Sequence, residues 1–301
     1  MILPAAARAA SPVRVGTIPI VGNAALYCAL EYGGPAAEGI DIQTTNLMSG
    51  TRIVEAMAAG SVDIGFSATL SILQAAQQGL DLVIVAPGSF KAADERPPTS
   101  ALVARKDAGI TGAAQLRGKI VAVNSLRSLD YLITAEYLAR GGVSAREVTW
   151  QEMAFPHIPA ALEQRRVDAA FIAEPFLTIL KDGGGASVLT AALDIIPGTS
   201  TSAYTTLRSW SQTRGALLEA FRRSLRRGAE VCERDPQRMR EALTKNAGVK
   251  ADLASRIGLP VLRPALRPAD LMPLVDLARR HRLLDREIDL DRLLGTGGLA
   301  R

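Results

Sequence analysis

The stretch Ala58–Leu73, AAGSVDIGFSATLSIL, carries an apolar run through Val62, Ile64 and Phe66 into the small polar triplet Ser67-Ala68-Thr69. A second apolar run with helical spacing follows at once. This is the order of a buried strand that ends in a tight turn and opens a helix. A partner stretch, VDAAFIAEP, runs from Val167 to Pro175, so Val62-Asp63 and Val167-Asp168 lie 105 positions apart. The two aspartates therefore read as scaffold, each starting a third strand after a helix. What differs is the strand end: Ser67-Ala68-Thr69 in one copy, Ile172-Ala173-Glu174 in the other.

Working outward, each copy sits at the end of the same layout. The first has strand VRVG (Val13–Gly16), a helix over Ala24–Tyr32, strand IDIQTTN (Ile40–Asn46), a helix over Thr51–Ala59 and strand VDIGF (Val62–Phe66). The second has strand KIVAVN (Lys119–Asn124), a helix through LDYLITAEYLAR stopped by Gly141-Gly142, strand EVTWQEM (Glu147–Met153), helix IPAALEQRR and the strand from Val167. The β-α-β-α-β order implies parallel strands joined by right-handed crossovers. A continuous apolar strand, LVIVAPG (Leu82–Gly88), suits a sheet covered on both faces. The expected fold class is α/β, with two lobes, each a mostly parallel sheet flanked by helices. From Arg214 onward the pattern is helical, through Arg234, Pro236–Asn246, Lys250–Gly258 and Pro268–His281, and these helices must pack on an existing lobe. Crossings are expected near Glu95–Asp107 and Ile196–Thr206, which makes the lobes a hinged pair. Residues 12–100 with 201–301 then form lobe 1 and residues 101–200 lobe 2.

The composition narrows the function. A chain of 301 residues with 48% hydrophobic and 22% charged residues builds a large folded core. Aromatics are 4%, too few for a base-stacking platform, so no nucleic-acid partner is expected. The net charge of +5 invites an anionic partner, yet Arg222, Arg223, Arg226 and Arg227, and Arg279, Arg280 and Arg282, read as solvated helix faces. Cys28 and Cys232 have no further ligands at metal spacing, and no metal or cofactor is expected. Both sit among apolar helix formers and read as buried thiols; a disulfide requires the fold to bring them together. No run of 18 apolar residues spans a membrane. Ala7-Arg8-Ala9, in an Ala-rich start, reads as the tail of a secretory signal peptide over residues 1–11.

In open parallel sheets, ligands lie beyond the carboxyl ends of the strands. Those ends supply Pro19, Ile20 and Asn23; Ser49, Gly50 and Thr51; Ser67, Ala68 and Thr69; Ser89 and Phe90; Asn124, Ser125, Leu126, Arg127 and Ser128; His157; Glu174; and Tyr204 at the return crossing. Any one hydroxyl here can be a helix cap. Several helix N-termini converging with hydroxyls on one cleft make an anion site. Arg127 is expected to supply a counter-charge beside Ser67 and Thr69, with Ile20, Leu126 and Phe90 against the ligand body. Two other readings stand beside it: a heterocycle between Phe90 and Tyr204, and an enzyme using His157 and Glu174 as acid and base. No Ser-His-Asp spacing, P-loop or GxGxxG is present, and no catalytic residue is assigned.

VRVGTIP, AEGIDIQ, AMAAGSVDIGFS, GLDLVIV, QLRGKIVAV, ALEQRRVDAAFIAEPF and LLDREIDLDRLL together resemble the substrate-binding proteins of nitrate, taurine and aliphatic-sulfonate ABC transporters. The resemblance covers about residues 12–295. It implies a type II periplasmic-binding-protein fold, a small organic anion between the lobes, transient docking on a membrane permease, a periplasmic location and a monomer. Relatives of this kind also take aromatic carboxylates or thiamine-related pyrimidines, so the ligand stays open. The resemblance reaches an enzyme branch, the fungal thiamine-pyrimidine synthases, whose cysteine-rich motif is absent here. It also reaches the effector domains of LysR-type regulators, whose helix-turn-helix has no room before Val13.

Overall fold

The computed structural model describes residues 10–91 and 97–295. The Ala7-Arg8-Ala9 motif lies outside the described residues. The first copy of the layout is β1 (Ser11–Thr17), α1 (Ala24–Tyr32), β2 (Ile40–Asn46), α2 (Gly50–Ala58), β3 (Ile64–Ala68), α3 (Thr69–Gln77) and β4 (Leu82–Pro87). After β5 (Ser100–Arg105), the second copy is β6 (Ile120–Val123), α4 (Leu129–Arg140), β7 (Thr149–Glu152), α5 (Ile158–Glu163), β8 (Ala169–Ala173), α6 (Phe176–Asp182) and β9 (Ala186–Ala191). Then come β10 (Ser202–Leu207), α7 (Arg208–Thr213), α8 (Gly215–Arg234), α9 (Pro236–Asn246), α10 (Ala251–Ala254), α11 (Met272–Arg280) and α12 (Leu290–Leu294).

Two five-stranded sheets result, ordered β2-β1-β3-β10-β4 and β7-β6-β8-β5-β9. In each, the first three strands are parallel, as the repeat requires. The fourth strand of each sheet, β10 or β5, runs antiparallel to both its neighbours. Both crossing regions thus end in strands that were read only as connections. Each is the first strand after the chain changes lobe, so each sheet is completed by chain arriving from the other. SALVAR and SAYTTL are buried almost throughout, which removes the alternation that marks a strand.

The two aspartates perform matching structural tasks. Asp63 accepts the Arg14 backbone N–H at 2.8 Å and the Arg14 side chain at 2.6 and 3.0 Å. Asp168 accepts the Ile120 backbone N–H at 3.0 Å and Arg105 Nη2 at 3.0 Å. Partial burial opposes ionisation of both, and these bonds nevertheless hold both carboxyls below the ordinary range. Each lies at the start of a third strand and ties it to the first, at the end of the sheet away from the strand termini. Gly65 lets α2 sit directly on β3: a Cβ there would meet Ile53 Cγ2 at 2.4 Å and Met57 Sδ at 2.9 Å.

The C-terminal helices cover the first lobe. α8 lies along α1, closely enough that a Cβ on Gly228 would meet Ala29 N at 2.4 Å. That approach joins Cys28 to Cys232 in a disulfide, with Cα atoms 6.3 Å apart. The reading of two buried thiols is corrected here: α1 and α8 place them face to face. On the outer side Arg223 and Arg227 both reach Glu38, at 2.7 and 2.6 Å, and stay half exposed, as a solvated basic face does.

Candidate functional site

The two crossing segments run side by side between the lobes. Gly88 N–H donates to Ser202 O at 2.9 Å, Thr201 N–H to Ser89 O at 3.0 Å and Lys91 N–H to Thr199 O at 3.0 Å. Ser89 and Ser202 also join through their hydroxyls at 2.9 Å. Only glycine fits at position 88, where a Cβ would lie 2.5 Å from Ser202 Oγ and 2.9 Å from the Ser202 backbone. This ribbon floors a cavity between the lobes with about 90 Å³ of water-accessible space.

The first lobe contributes Ile18, Ile20 and Gly22 beyond β1, Gly50 at the start of α2, Phe66 and Ala68 from β3, and Ser71 from α3. The crossings contribute Ser89, Lys91, Thr99, Ser100, Thr201 and Ser202. The second lobe contributes Asn124, Ser125, Ser128, Leu129 and Asp130 beyond β6, with Phe155, Phe171 and Ala173. Asn124 also reaches across, donating Nδ2–H to Met48 O at 3.3 Å.

Three polar features converge. The first is the head of α2. Ser49 caps it by accepting the Arg52 N–H at 3.4 Å, while the N–H groups of Gly50 and Thr51 have no helix carbonyl within reach. A Cβ on Gly50 would lie 2.4 Å from Ser67 Oγ and 3.2 Å from Ser71 Oγ, so two hydroxyls crowd this N-terminus. Ser67 Oγ is fully buried and has no hydrogen-bond partner in the protein. The second is Lys91, whose Nζ donates to Thr99 Oγ1 at 2.9 Å and Ser100 Oγ at 2.5 Å. Burial pulls its ammonium down to about 8 against the pull of Asp130. The third is Asp130, which accepts the Asn124 N–H at 3.0 Å. Burial pushes its carboxyl up to about 6. Near pH 7 both groups are charged.

Of the residues expected at the site, Ile20, Gly50, Ala68, Ser89, Asn124, Ser125 and Ser128 line this cavity. Ser49 caps α2 behind it, and Ser67 stands against Gly50. Thr69 is buried with an unpartnered hydroxyl, its N–H bonded to Thr201 O at 3.0 Å. Pro19 and Thr51 lie outside the lining.

The rest are corrected. Arg127 takes a positive φ of 60°, which swings it to the outside, where it donates to Arg282 O at 3.5 Å. Leu126 is 49% exposed on the same turn. Tyr204 is buried between Phe66 and Phe221, with its hydroxyl donating to Asn23 Oδ1 at 2.6 Å. Phe90 is buried under Arg263, 4.6 Å from its ring. Neither ring faces a ligand, and Asn23 is held in the same core. Glu174 is buried, and its carboxylate accepts Thr178 N–H, Thr178 Oγ1–H and Gly258 N–H at 3.0, 2.7 and 3.2 Å. His157 is exposed at the head of α5. The acid–base pair does not form.

Lys91 and Asp130 are the charged lining residues that strand ends do not reveal. Lys91 follows Phe90 by one position, past the strand end, and Asp130 sits inside an apolar helix pattern. A lysine beside SF-K in a hydroxyl-rich crossing was the available signal for the first. Gly50 offers a direct check. Gly50→Ala should lower ligand affinity and cost about 1–3 kcal/mol of stability through overpacking against Ser67. Denaturant unfolding and calorimetry measure the two effects, and unchanged affinity would remove α2 from the site.

The family model described as NMT1/THI5 like matches residues 22–239. A putative aliphatic sulfonates-binding protein of Escherichia coli (strain K12) is 25% identical over 171 residues, covering 57% of this chain and 51% of that protein. The match thus spans about half the length of that curated relative. The alkanesulfonate-binding protein SsuA from Xanthomonas axonopodis pv. citri, bound to MOPS, superposes with a TM-score of 0.77 at 21% identity, over 95% of this chain and 97% of that one. The periplasmic nitrate-binding protein NrtA from Synechocystis PCC 6803 does so at 0.75 and 13% identity, over 93% and 83%. A desulfurization enzyme, DSZB, shares the architecture at 0.66 and 16% identity, over 94% and 96%. These likenesses establish the periplasmic-binding-protein fold.

Proposed function

The chain belongs to the NMT1/THI5-like family, and on that premise we propose that it is the solute-binding protein of an ABC-type importer, taking a small organic anion between its lobes. The observation that carries this reading is the interlobe cavity itself. A buried ammonium, the N-terminus of α2 and an unpartnered buried hydroxyl all face or border one small space. A sulfonate or carboxylate would take up the free N–H groups of α2 and the remaining donor of Lys91. Burial of both partners makes each contact stronger than on a surface. Ile18, Ile20, Phe155 and Phe171 supply apolar walls for the body of the ligand.

Binding without turnover fits the site. Glu174 is fully engaged in structural bonds and His157 is exposed at the head of α5, so the two are not placed as an acid and a base. The heterocycle reading loses its aromatic sandwich, because Phe90 and Tyr204 belong to the core. We place the protein in the periplasm, as a monomer that docks transiently on its permease. The Cys28–Cys232 disulfide supports an oxidising compartment. No helix among the described residues is long and apolar enough to cross a membrane.

Isothermal titration calorimetry with a panel of alkanesulfonates, carboxylates and nitrate tests the reading. At least one should bind with micromolar or tighter Kd and a negative heat-capacity change from closure over the apolar walls. A folded protein that binds none of them would overturn it.

A further inference from the structure

A second pocket, of about 340 Å³, lies between α8, the end of β4 and residues 262–264. It shares no lining residue with the interlobe cavity. Its floor is apolar, formed by the otherwise buried Ala25, Val85, Leu225, Ala229 and Leu262. Its charged lining is four guanidinium groups, Arg222, Arg223, Arg226 and Arg263, against one carboxylate, Glu219. Part of that charge is spent within the fold. Arg222 donates Nε–H to Val85 O at 2.9 Å and Nη1–H to Glu219 at 2.6 Å, and Arg223 pairs with Glu38 at 2.7 Å. Arg226 is exposed, and among the described residues no hydrogen bond or ion pair engages its side chain. Arg263 lies over the Phe90 ring. The Asp270 carboxylate stands 3.8 Å from it and is held more closely by Arg267, at 3.1 Å. Arg222 and Arg226 are also like charges four positions apart on α8, a placement that costs helix stability.

Two guanidinium groups with unspent donors therefore open on an apolar floor. A guanidinium stays charged at any physiological pH, and its fork of donors suits a carboxylate. We infer that this pocket is a second ligand site and takes an anionic amphiphile, a carboxylate head directed to Arg226 and Arg263 with a short hydrocarbon body on Leu225, Ala229 and Leu262. A simple inorganic anion would leave the floor wet, and a neutral hydrocarbon would leave the arginines unpaired. The interlobe cavity, with its about 90 Å³, offers such a body less room.

Octanoate is the probe, titrated by calorimetry into the full chain beside acetate, which has the head alone, and octylammonium, which has the body and the opposite charge. Octanoate should bind with sub-millimolar Kd, and both controls about ten-fold more weakly or worse. Its affinity should fall about ten-fold or more in Arg226→Gln with Arg263→Gln. It should stay within about two-fold in Lys91→Met, whose lysine lines the other cavity. In the unaltered protein the methyl NMR signals of Val85, Leu225 and Leu262 should shift on adding octanoate, while those of Ile18 and Ile20 stay in place; that measurement needs no variant to fold. No binding at millimolar octanoate overturns the inference, and so does octylammonium binding equally well. Affinity lost in Lys91→Met and kept in the double variant, or shifts confined to Ile18 and Ile20, would assign octanoate to the interlobe cavity and equally overturn it.

Discussion

Lys91→Met is expected to weaken binding of the acidic ligand by roughly ten- to one-hundred-fold, the worth of about 1.5–3 kcal/mol for a hydrogen bond to a charged group. The same substitution should raise the stability of the empty protein. A methionine keeps the length of the stem and relieves the burial of an ammonium that the fold holds down at about 8 rather than near its usual 10.5. The sign follows from linkage. The folded pKa is the lower one, so the unfolded chain binds more protons between about pH 8 and pH 10.5. Stability of the unaltered protein therefore rises across that window, by up to about 3 kcal/mol from this group at about 1.4 kcal/mol per pH unit. In Lys91→Met that segment of the pH dependence disappears. Affinity from calorimetry and stability from denaturant unfolding should thus move in opposite directions at pH 7.5, and most of the gain in stability should be gone at pH 10. A variant that lost both together would indicate a structural lysine and no ligand contact.

Removal of the disulfide should produce the largest loss of stability. The bond closes a loop of 204 residues between α1 and α8. Chain entropy alone sets a ceiling of about 5 kcal/mol for a loop of that size, and native bonds commonly deliver about 2–5 kcal/mol. The close packing of α1 on α8 persists without it, so Cys28→Ser with Cys232→Ser should fold and melt on the order of 3–8 °C lower. Neither cysteine lines the cavity. Ligand affinity at 20 °C should then stay within about two-fold, while a reducing agent should lower the melting temperature of the unaltered protein alone. Equal melting temperatures for the two proteins under oxidising conditions would mean that the thiols do not pair in solution.

The repeat was legible because its signals are local. Strand, turn and helix in Ala58–Leu73 follow from the order of apolar and small residues, and the second copy from Val167 repeats that order. The equivalence of Asp63 and Asp168 in the repeat separates scaffold from site, and both aspartates are tied to first-strand backbone. The strand-end rule likewise led to Gly50, Ala68, Ser89, Asn124 and Ser128 at the cavity. It failed at Arg127 because side-chain direction on a turn depends on φ, and a positive φ at a non-glycine residue leaves little trace in sequence. It failed at Tyr204 because the hydroxyl-rich SAYTTL reads as a connection, whereas it is a buried strand whose Tyr204 ring packs between Phe66 and Phe221.

Residue order by itself therefore determined what depends on neighbours within a few positions: the two β-α-β-α-β lobes, their parallel strands and the ends at which a ligand would lie. The tertiary structure alone decided what depends on distant residues meeting. It made the two crossing segments into the antiparallel strands β5 and β10, brought Cys28 to Cys232, and set Lys91 from one crossing in the same cavity as Asp130 from the second lobe. Periodicity encodes which face of an element is buried. It carries nothing about which buried charge faces which, because that is settled only when the lobes pack and water leaves the space between them.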